Sequence, residues 1–164
     1  MFDGLRDIAP FDPLLVDEPD AAVSAFRDAV AAADAVLIAA PEYAGAVAGV
    51  VKNALDWLVG AGSMWGRTVG VACAGTTGGW FSRRDLAQTL AWHGALVVAH
   101  LGIAAPRTKS GADGRFTDEG TLDEIDRFAD DLLHRATLPR EAQIDLARAI
   151  AVEFRLDPMR IAGG

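Results

Sequence analysis

Two kinds of apolar pattern follow one another in the first part of the chain. Apolar residues recur at helical spacing after Asp20, a favourable N-cap residue, and this pattern predicts a helix over Ala21–Ala33. The next segment, Ala35–Ala40, is apolar at every position, which is typical of a strand buried on both faces in a parallel sheet. Pro41 is expected to end that strand.

The same alternation continues along the rest of the chain. The Pro- and Asp-rich first 19 residues predict an irregular lead-in, and Pro158 with Gly163–Gly164 predicts a loose tail. Strands that alternate with helices predict an α/β fold with a parallel sheet and right-handed crossovers. The remaining predicted helices are Gly49–Val59, Trp80–His93, Leu122–Arg135 and Glu141–Phe154, and the remaining predicted strands are Thr68–Ala74 and Ala95–Leu101.

Composition narrows the class of protein. The 164 residues suit one domain, and the net charge of −8 disfavours binding to nucleic-acid phosphates. The apolar stretches fall short of the ~18 residues of a membrane span, so no membrane partner is expected. Cys73 is the only cysteine, which excludes an internal disulfide, and the three histidines lack metal-ligand spacing. We therefore expect a cytoplasmic protein without a metal site.

A longer motif follows the first predicted strand. Residues Pro41–Trp57 read P-E-Y-A-G-A-V-A-G-V-V-K-N-A-L-D-W. This string resembles the signature of the NAD(P)H-dependent FMN reductases, P-E-Y-N-G-S-x-P-G-x-L-K-N-A-x-D-W. Gly75–Gly79 is similar to the glycine-rich segment of the same family, and the similarity extends from about Leu5 to Gly120.

The resemblance implies a flavodoxin-like three-layer sandwich and an oxidoreductase that uses FMN with NADPH or NADH. In such an enzyme hydride passes from nicotinamide to flavin and on to a quinone, azo or similar small-molecule acceptor. The cofactor carries the chemistry and the protein orients it, so no catalytic acid–base side chain is expected. The resemblance also implies a homodimer or homotetramer.

The resemblance further implies which residues line the flavin, mainly through main-chain groups that stabilise the reduced ring. The chain departs from the family string where Ala44 replaces Asn, Ala46 replaces Ser and Ala48 replaces Pro. The implied cofactor-binding residues are Pro41, Glu42, Tyr43, Ala44, Gly75, Thr76, Thr77, Gly78 and Gly79.

A larger departure lies at the start of the chain. The family begins with a strand and a Ser-rich loop that holds the FMN phosphate, and no such segment precedes the lead-in here. We therefore expect an N-terminally truncated sandwich in which Ala35–Ala40 lacks a hydrogen-bonded neighbour. The explanations are an upstream start codon, a genuine truncation that has lost tight FMN binding, or an edge covered by a partner chain or by the extra C-terminal helix.

These considerations divide the chain into a flavodoxin-like domain, residues 1–137, incomplete at its N-terminus, and a C-terminal helical extension, residues 138–164. They also leave two other functions open. The chain is alternatively a non-catalytic remnant that serves as a binding or interaction module. A flavodoxin-like electron carrier is a third interpretation.

Several side chains near the motifs have two interpretations each. Arg83–Arg84 fits either the extra phosphate of NADPH or a solvated helix face. Lys52–Asn53 fits either a ligand contact or a solvated or subunit-facing helix start. Trp57 is expected in packing or in a dimer contact, and Cys73 is expected to be buried.

Overall fold

The computed structural model describes residues 1–161. Gly163–Gly164 of the predicted tail lie outside them, whereas Pro158 begins a short 3-10 turn. None of the described helices combines the length and the hydrophobicity needed to cross a bilayer. Short 3-10 turns lie at Gly4–Asp7, Pro13–Leu15, Pro106–Thr108 and Pro158–Arg160. The longer elements are α1 (Ala21–Ala31), β1 (Ala35–Tyr43), β2 (Ala46–Val47), α2 (Gly49–Val59), β3 (Thr68–Gly75), α3 (Trp80–Trp92), β4 (Leu96–Ala104), α4 (Glu119–Ala136) and α5 (Arg140–Glu153).

The described strands form one sheet in the order β2-β1-β3-β4. Strand β1 runs parallel to β3, with Ala35 opposite Thr68 and Pro41 opposite Ala74, and β3 runs parallel to β4. The prediction of an α/β fold with parallel strands is confirmed. Every helix and strand predicted from the apolar pattern is present, with shifts of up to three residues at the ends.

The prediction that Pro41 ends the first strand is wrong. Strand β1 continues through Pro41 to Tyr43, turns at Ala44–Gly45 and returns as β2, which pairs antiparallel with it. The φ angles of +51° and +71° at Ala44 and Gly45 are those of a tight two-residue hairpin turn. Proline is tolerated because β1 lies at an edge of the parallel strands, where one side of the backbone has no ladder to complete.

The lead-in is more ordered than its composition predicts, because α2 anchors it. The side-chain amide of Asn53 donates to the carbonyl oxygen of Ala9 over 2.9 Å and accepts from the N–H of Phe11 over 2.8 Å. The indole N–H of Trp57 donates to the same Ala9 oxygen over 2.8 Å, and its ring meets Phe11 edge-on. Asn53 and Trp57 of the motif therefore hold the lead-in against α2.

Two apolar clusters flank the sheet. The larger cluster joins β1 and β3 to α1, α2 and α3, and the smaller cluster joins β4 to α4 and α5. Buried Gln143 holds α5 in place, since its side chain accepts from the Thr68 hydroxyl over 2.9 Å and donates to the carbonyl oxygens of Ala136 and Leu138. Helix α5 packs along β4, so the explanation that it covers the edge of the first strand is wrong.

The outer edge of β1 lacks a strand partner over most of its length. Residues 35–41 pair with β3 alone, and only Glu42 and Tyr43 also pair with β2. An apolar groove of about 830 Å³ runs beside this edge, between β1, α1 and α2, and Leu37 is 49% exposed there. The missing neighbour predicted for Ala35–Ala40 is thus confirmed among the described residues.

Candidate functional site

The two loops singled out in the sequence lie side by side. Strands β1 and β3 are adjacent and parallel, so the hairpin turn that follows β1 and the loop Gly75–Gly79 that follows β3 emerge at the same edge. This carboxyl edge is where parallel α/β sheets bind ligands. The structure therefore brings together both groups of residues that the resemblance implied.

The side chain of Glu42 connects the two loops directly. Its Oε1 accepts a hydrogen bond from the Thr77 hydroxyl over 3.2 Å. Its Oε2 accepts from the backbone N–H groups of Phe81 over 2.8 Å and Ser82 over 3.2 Å, in the first turn of α3. The motif implied a main-chain role for Glu42, and sequence reasoning missed this side-chain role. The available signal was the glycine at the start of α3, which has no side chain to accept from the first N–H groups of the helix.

Close backbone contact explains the glycines of the second loop. Gly79 has φ +64°, and a Cβ atom there would lie 2.6 Å from the Cβ atom of Cys73. A Cβ atom on Gly75 would lie 2.9 Å from the Cβ atom of Glu42. Glycine at position 79 therefore lets the loop lie close against Cys73 of β3, and glycine at position 75 leaves room for the Glu42 side chain.

The surface left by the two loops is open. Tyr43 is 67% exposed, and Ala44, Thr76 and Thr77 are also exposed. Within residues 1–161 the backbone N–H groups of Thr76 and Thr77 donate to no protein acceptor. Free amide donors beside small residues and an aromatic side chain fit the polar edge and the flat face of a flavin ring. The backbone N–H groups of Phe81 and Ser82 differ from these free donors, because they donate to the carboxylate of Glu42.

The residues of these two loops fit a phosphate group less well than they fit a flavin ring. Residues 41–48 and 75–79 include no lysine or arginine. Within residues 1–161, no strand and no α-helix precedes α1 to supply a phosphate-binding loop. The described part of the chain therefore suits the ring of a flavin nucleotide better than its phosphate.

Arg83 lies behind the second loop and is engaged with protein groups. Its guanidinium carbon is 5.7 Å from the ring centre of Trp80 and 5.8 Å from that of Phe154. Its Nη1 donates to Nδ1 of His100 over 2.9 Å, so the His100 proton is on Nε2, which faces Glu153 over 3.1 Å. Burial lowers the pKa of Arg83. Neither predicted interpretation of Arg83, as an NADPH ligand or as a solvated residue, fits these contacts.

The other side chains of interest divide into buried and exposed groups. Cys73 is buried as predicted, and burial raises the pKa of its thiol. Trp57 is buried, whereas Trp65 is 63% exposed. Phe81 is 49% exposed beside the Glu42 contact, so it borders the open surface of the two loops.

Fold and loops together define a flavodoxin-like α/β protein with a candidate flavin site at the carboxyl edge of its sheet. The family model of the NADPH-dependent FMN reductases matches residues 2–109, and the chain belongs to this family. Membership implies FMN and NAD(P)H as cofactors.

Individual relatives carry related names. The chain is 32% identical to an NADPH:quinone oxidoreductase of Arabidopsis thaliana over 111 residues, which is 63% of this chain and 56% of that protein. It is 58% identical to an NAD(P)H-dependent FMN reductase of Pseudomonas aeruginosa over 36 residues, which is 22% of this chain and 20% of that protein. These matches span little more than half of the curated relatives or less.

A solved structure shares the fold. The flavoenzyme NAD(P)H:(acceptor) oxidoreductase FerB from Paracoccus denitrificans superimposes with a TM-score of 0.62 at 25% identity. The match covers 79% of this chain and 75% of FerB. The predicted flavodoxin-like fold class is thereby confirmed.

Proposed function

We propose that this chain forms the flavin-binding part of an NAD(P)H-dependent FMN oxidoreductase that reduces a quinone, azo or similar acceptor. The observation that carries the proposal is the contact of Glu42 with Thr77, Phe81 and Ser82, which joins two loops into one surface with free amide donors. Family membership and the names of the relatives support the same activity.

The protein's part in this reaction is to bind and orient. Bound FMN supplies the capacity to accept hydride from nicotinamide and to pass two electrons on to the acceptor. Tyr43 and Ala44 are exposed and would line one side of the ring, and the amides of Thr76 and Thr77, unpaired in the described part of the chain, would donate to its polar edge. A quinone takes up two electrons and two protons, so hydride from NAD(P)H and one proton from solvent balance the reaction.

Calorimetric titration with FMN tests the proposal, together with NADPH oxidation in the presence of benzoquinone. We expect saturable FMN binding and quinone-dependent NADPH consumption. Riboflavin, which lacks the phosphate, is the matched ligand, and we expect it to bind nearly as well as FMN because the two loops carry no lysine or arginine for the phosphate. Absence of binding by either ligand, with no NADPH oxidation, would reject the activity for this chain.

The bare edge of β1 favours a second candidate, a non-catalytic binding module of the same fold. The described residues lack a phosphate-binding segment, and loss of about 4 kcal/mol of phosphate contacts weakens binding roughly a thousandfold. The same titration separates the two candidates. Micromolar or tighter binding supports the enzyme, and no binding at millimolar FMN supports the module.

We further propose a cytoplasmic homodimer or homotetramer. Exposed aromatic side chains favour a contact between copies, since Trp65 is 63% exposed, Trp92 67% and Tyr43 67%. Light scattering after size-exclusion chromatography measures the mass. We expect a dimer or tetramer, and a monomer at every concentration would refute the proposed assembly.

A further inference from the structure

We propose that the side chains of Glu42 and Asp85 are positioning residues that hold the β1–β2 hairpin at a set distance from the glycine loop. Together they form a carboxylate clamp, defined here as Glu42 with Thr77, Phe81 and Ser82, and Asp85 with Val47. The effect on flavin binding rests on the proposed function, whereas the clamp itself is a property of the protein alone.

Helix α3 needs a cap from elsewhere in the chain. Its N-cap residue, Gly79, makes no side-chain hydrogen bond. A Cβ atom added at position 79 would clash with Cys73, so a serine or aspartate at this position is excluded. The first N–H groups of a helix require acceptors, and Glu42 supplies a carboxylate to two of them from the neighbouring strand. The cap of α3 is therefore provided by Glu42, which lies in the β1–β2 hairpin.

Asp85 holds the other arm of the hairpin. It lies about one turn into α3, and its Oδ2 accepts from the N–H of Val47 on β2 over 3.3 Å. A two-stranded hairpin is only marginally stable alone, and here Ala44 adds a left-handed conformation that alanine disfavours. Both arms are therefore tied to one rigid helix. This arrangement fixes Tyr43 and Ala44 relative to Thr76 and Thr77.

The charge of Glu42 has a second consequence for the site. A helix N-terminus carries a partial positive charge that attracts anions, and Glu42 neutralises that end of α3. The amides of Thr76 and Thr77, which have no protein acceptor among the described residues, would therefore stabilise a reduced, anionic flavin, and the helix end would contribute little. Removal of the Glu42 charge should make the site favour the reduced ring.

The test uses four variants of the full chain: Glu42→Ala, Glu42→Gln, Asp85→Ala and Asp118→Ala. Asp118 caps α4 by accepting from the Thr121 N–H over 2.9 Å, so its loss removes a helix cap far from the two loops in sequence. The readouts are amide hydrogen exchange without cofactor, FMN affinity, and the midpoint potential of bound FMN.

In the cofactor-free protein, Glu42→Ala should speed exchange at the Phe81 and Ser82 amides at least tenfold, because both lose their acceptor. Asp85→Ala should do the same at Val47. Both variants should weaken FMN binding about tenfold, whereas Asp118→Ala should lower the melting temperature and leave FMN affinity unchanged. Unchanged exchange at Phe81 and Ser82 would overturn the clamp whether or not FMN binds.

Glu42→Gln keeps an oxygen acceptor and removes the charge. It should bind FMN more tightly than Glu42→Ala and raise the potential of bound FMN. A shift of about 30 mV corresponds to tenfold tighter binding of the reduced ring relative to the oxidised one in a two-electron couple. If exchange changes as expected but affinity and potential do not, the positioning role is refuted. If wild type binds no FMN, the proposed function fails and the exchange measurements still decide the clamp.

Discussion

Gly79→Ala should destabilise the protein strongly because this position combines a left-handed backbone with a steric conflict. The φ angle of +64° costs an alanine about 1–2 kcal/mol. The added Cβ atom would also lie 2.6 Å from the Cβ atom of Cys73 and 2.9 Å from its carbonyl carbon and oxygen. Overpacking of this kind costs about 1–3 kcal/mol, so the total is about 2–5 kcal/mol. The free energy of unfolding of a whole domain is only about 5–15 kcal/mol, so this loss is a large fraction of it.

Two other glycines separate these contributions. Gly45 has φ +71° with nothing within 4 Å of its added Cβ atom, so Gly45→Ala should cost only the backbone strain, about 1–2 kcal/mol. Gly49 begins α2 with open space and an ordinary φ, so Gly49→Ala should stabilise by about 0.4–1 kcal/mol.

Urea unfolding followed by tryptophan fluorescence measures all three free energies of unfolding. Equal losses for Gly79→Ala and Gly45→Ala would refute the reasoning, because the contact with Cys73 would then contribute nothing.

Four further substitutions test other parts of the structure. Ala44→Asn should stabilise by about 1 kcal/mol in urea unfolding, because asparagine tolerates the left-handed turn; a loss would contradict the turn assignment. Asn53→Ala should cost about 1–3 kcal/mol and speed hydrogen exchange at Phe11, since both bonds to the lead-in are lost; unchanged exchange would argue against the anchor. Leu37→Lys should reduce concentration-dependent association in light scattering at little cost in stability, as charged residues protect strand edges; unfolding instead would show that Leu37 is a core residue. Burial lowers the pKa of His93, so as the pH falls through about 6.5 the unfolded state takes up the His93 proton before the folded state does, and the free energy of unfolding should decrease. His93→Gln should reduce this decrease when urea unfolding is measured against pH. An unaltered pH profile would refute the role of His93.

The helices and parallel strands were predictable because their signals are local. Helix α2 follows a strand and a glycine, and its predicted bounds, Gly49–Val59, match the structure. The apolar run Ala35–Ala40 likewise predicted a buried parallel strand, and these residues pair in parallel with β3. Residue type along a short window carries this information, since helix and strand periodicities differ.

The hairpin was missed because its signal is weak in this chain. The favoured turn sequence is Asn-Gly, and here Ala44 replaces the asparagine, so the residues alone give little indication of a tight turn. Pro41 predicted a strand end instead, since proline cannot donate to a sheet ladder. Only pairing with β3 and β2 establishes that the strand continues.

The amino-acid sequence by itself determined the order of the elements, the family and the two loops of the candidate site, because each depends on residues close together in the chain. Tertiary structure alone decided that Glu42 caps α3, that Arg83 lies over the ring of Phe154 and that α5 packs along β4. Each of these contacts joins residues that are more than 35 positions apart in the chain. Hydrogen bonds and close packing act over a few ångströms in space, and only the folded backbone brings such partners within that range.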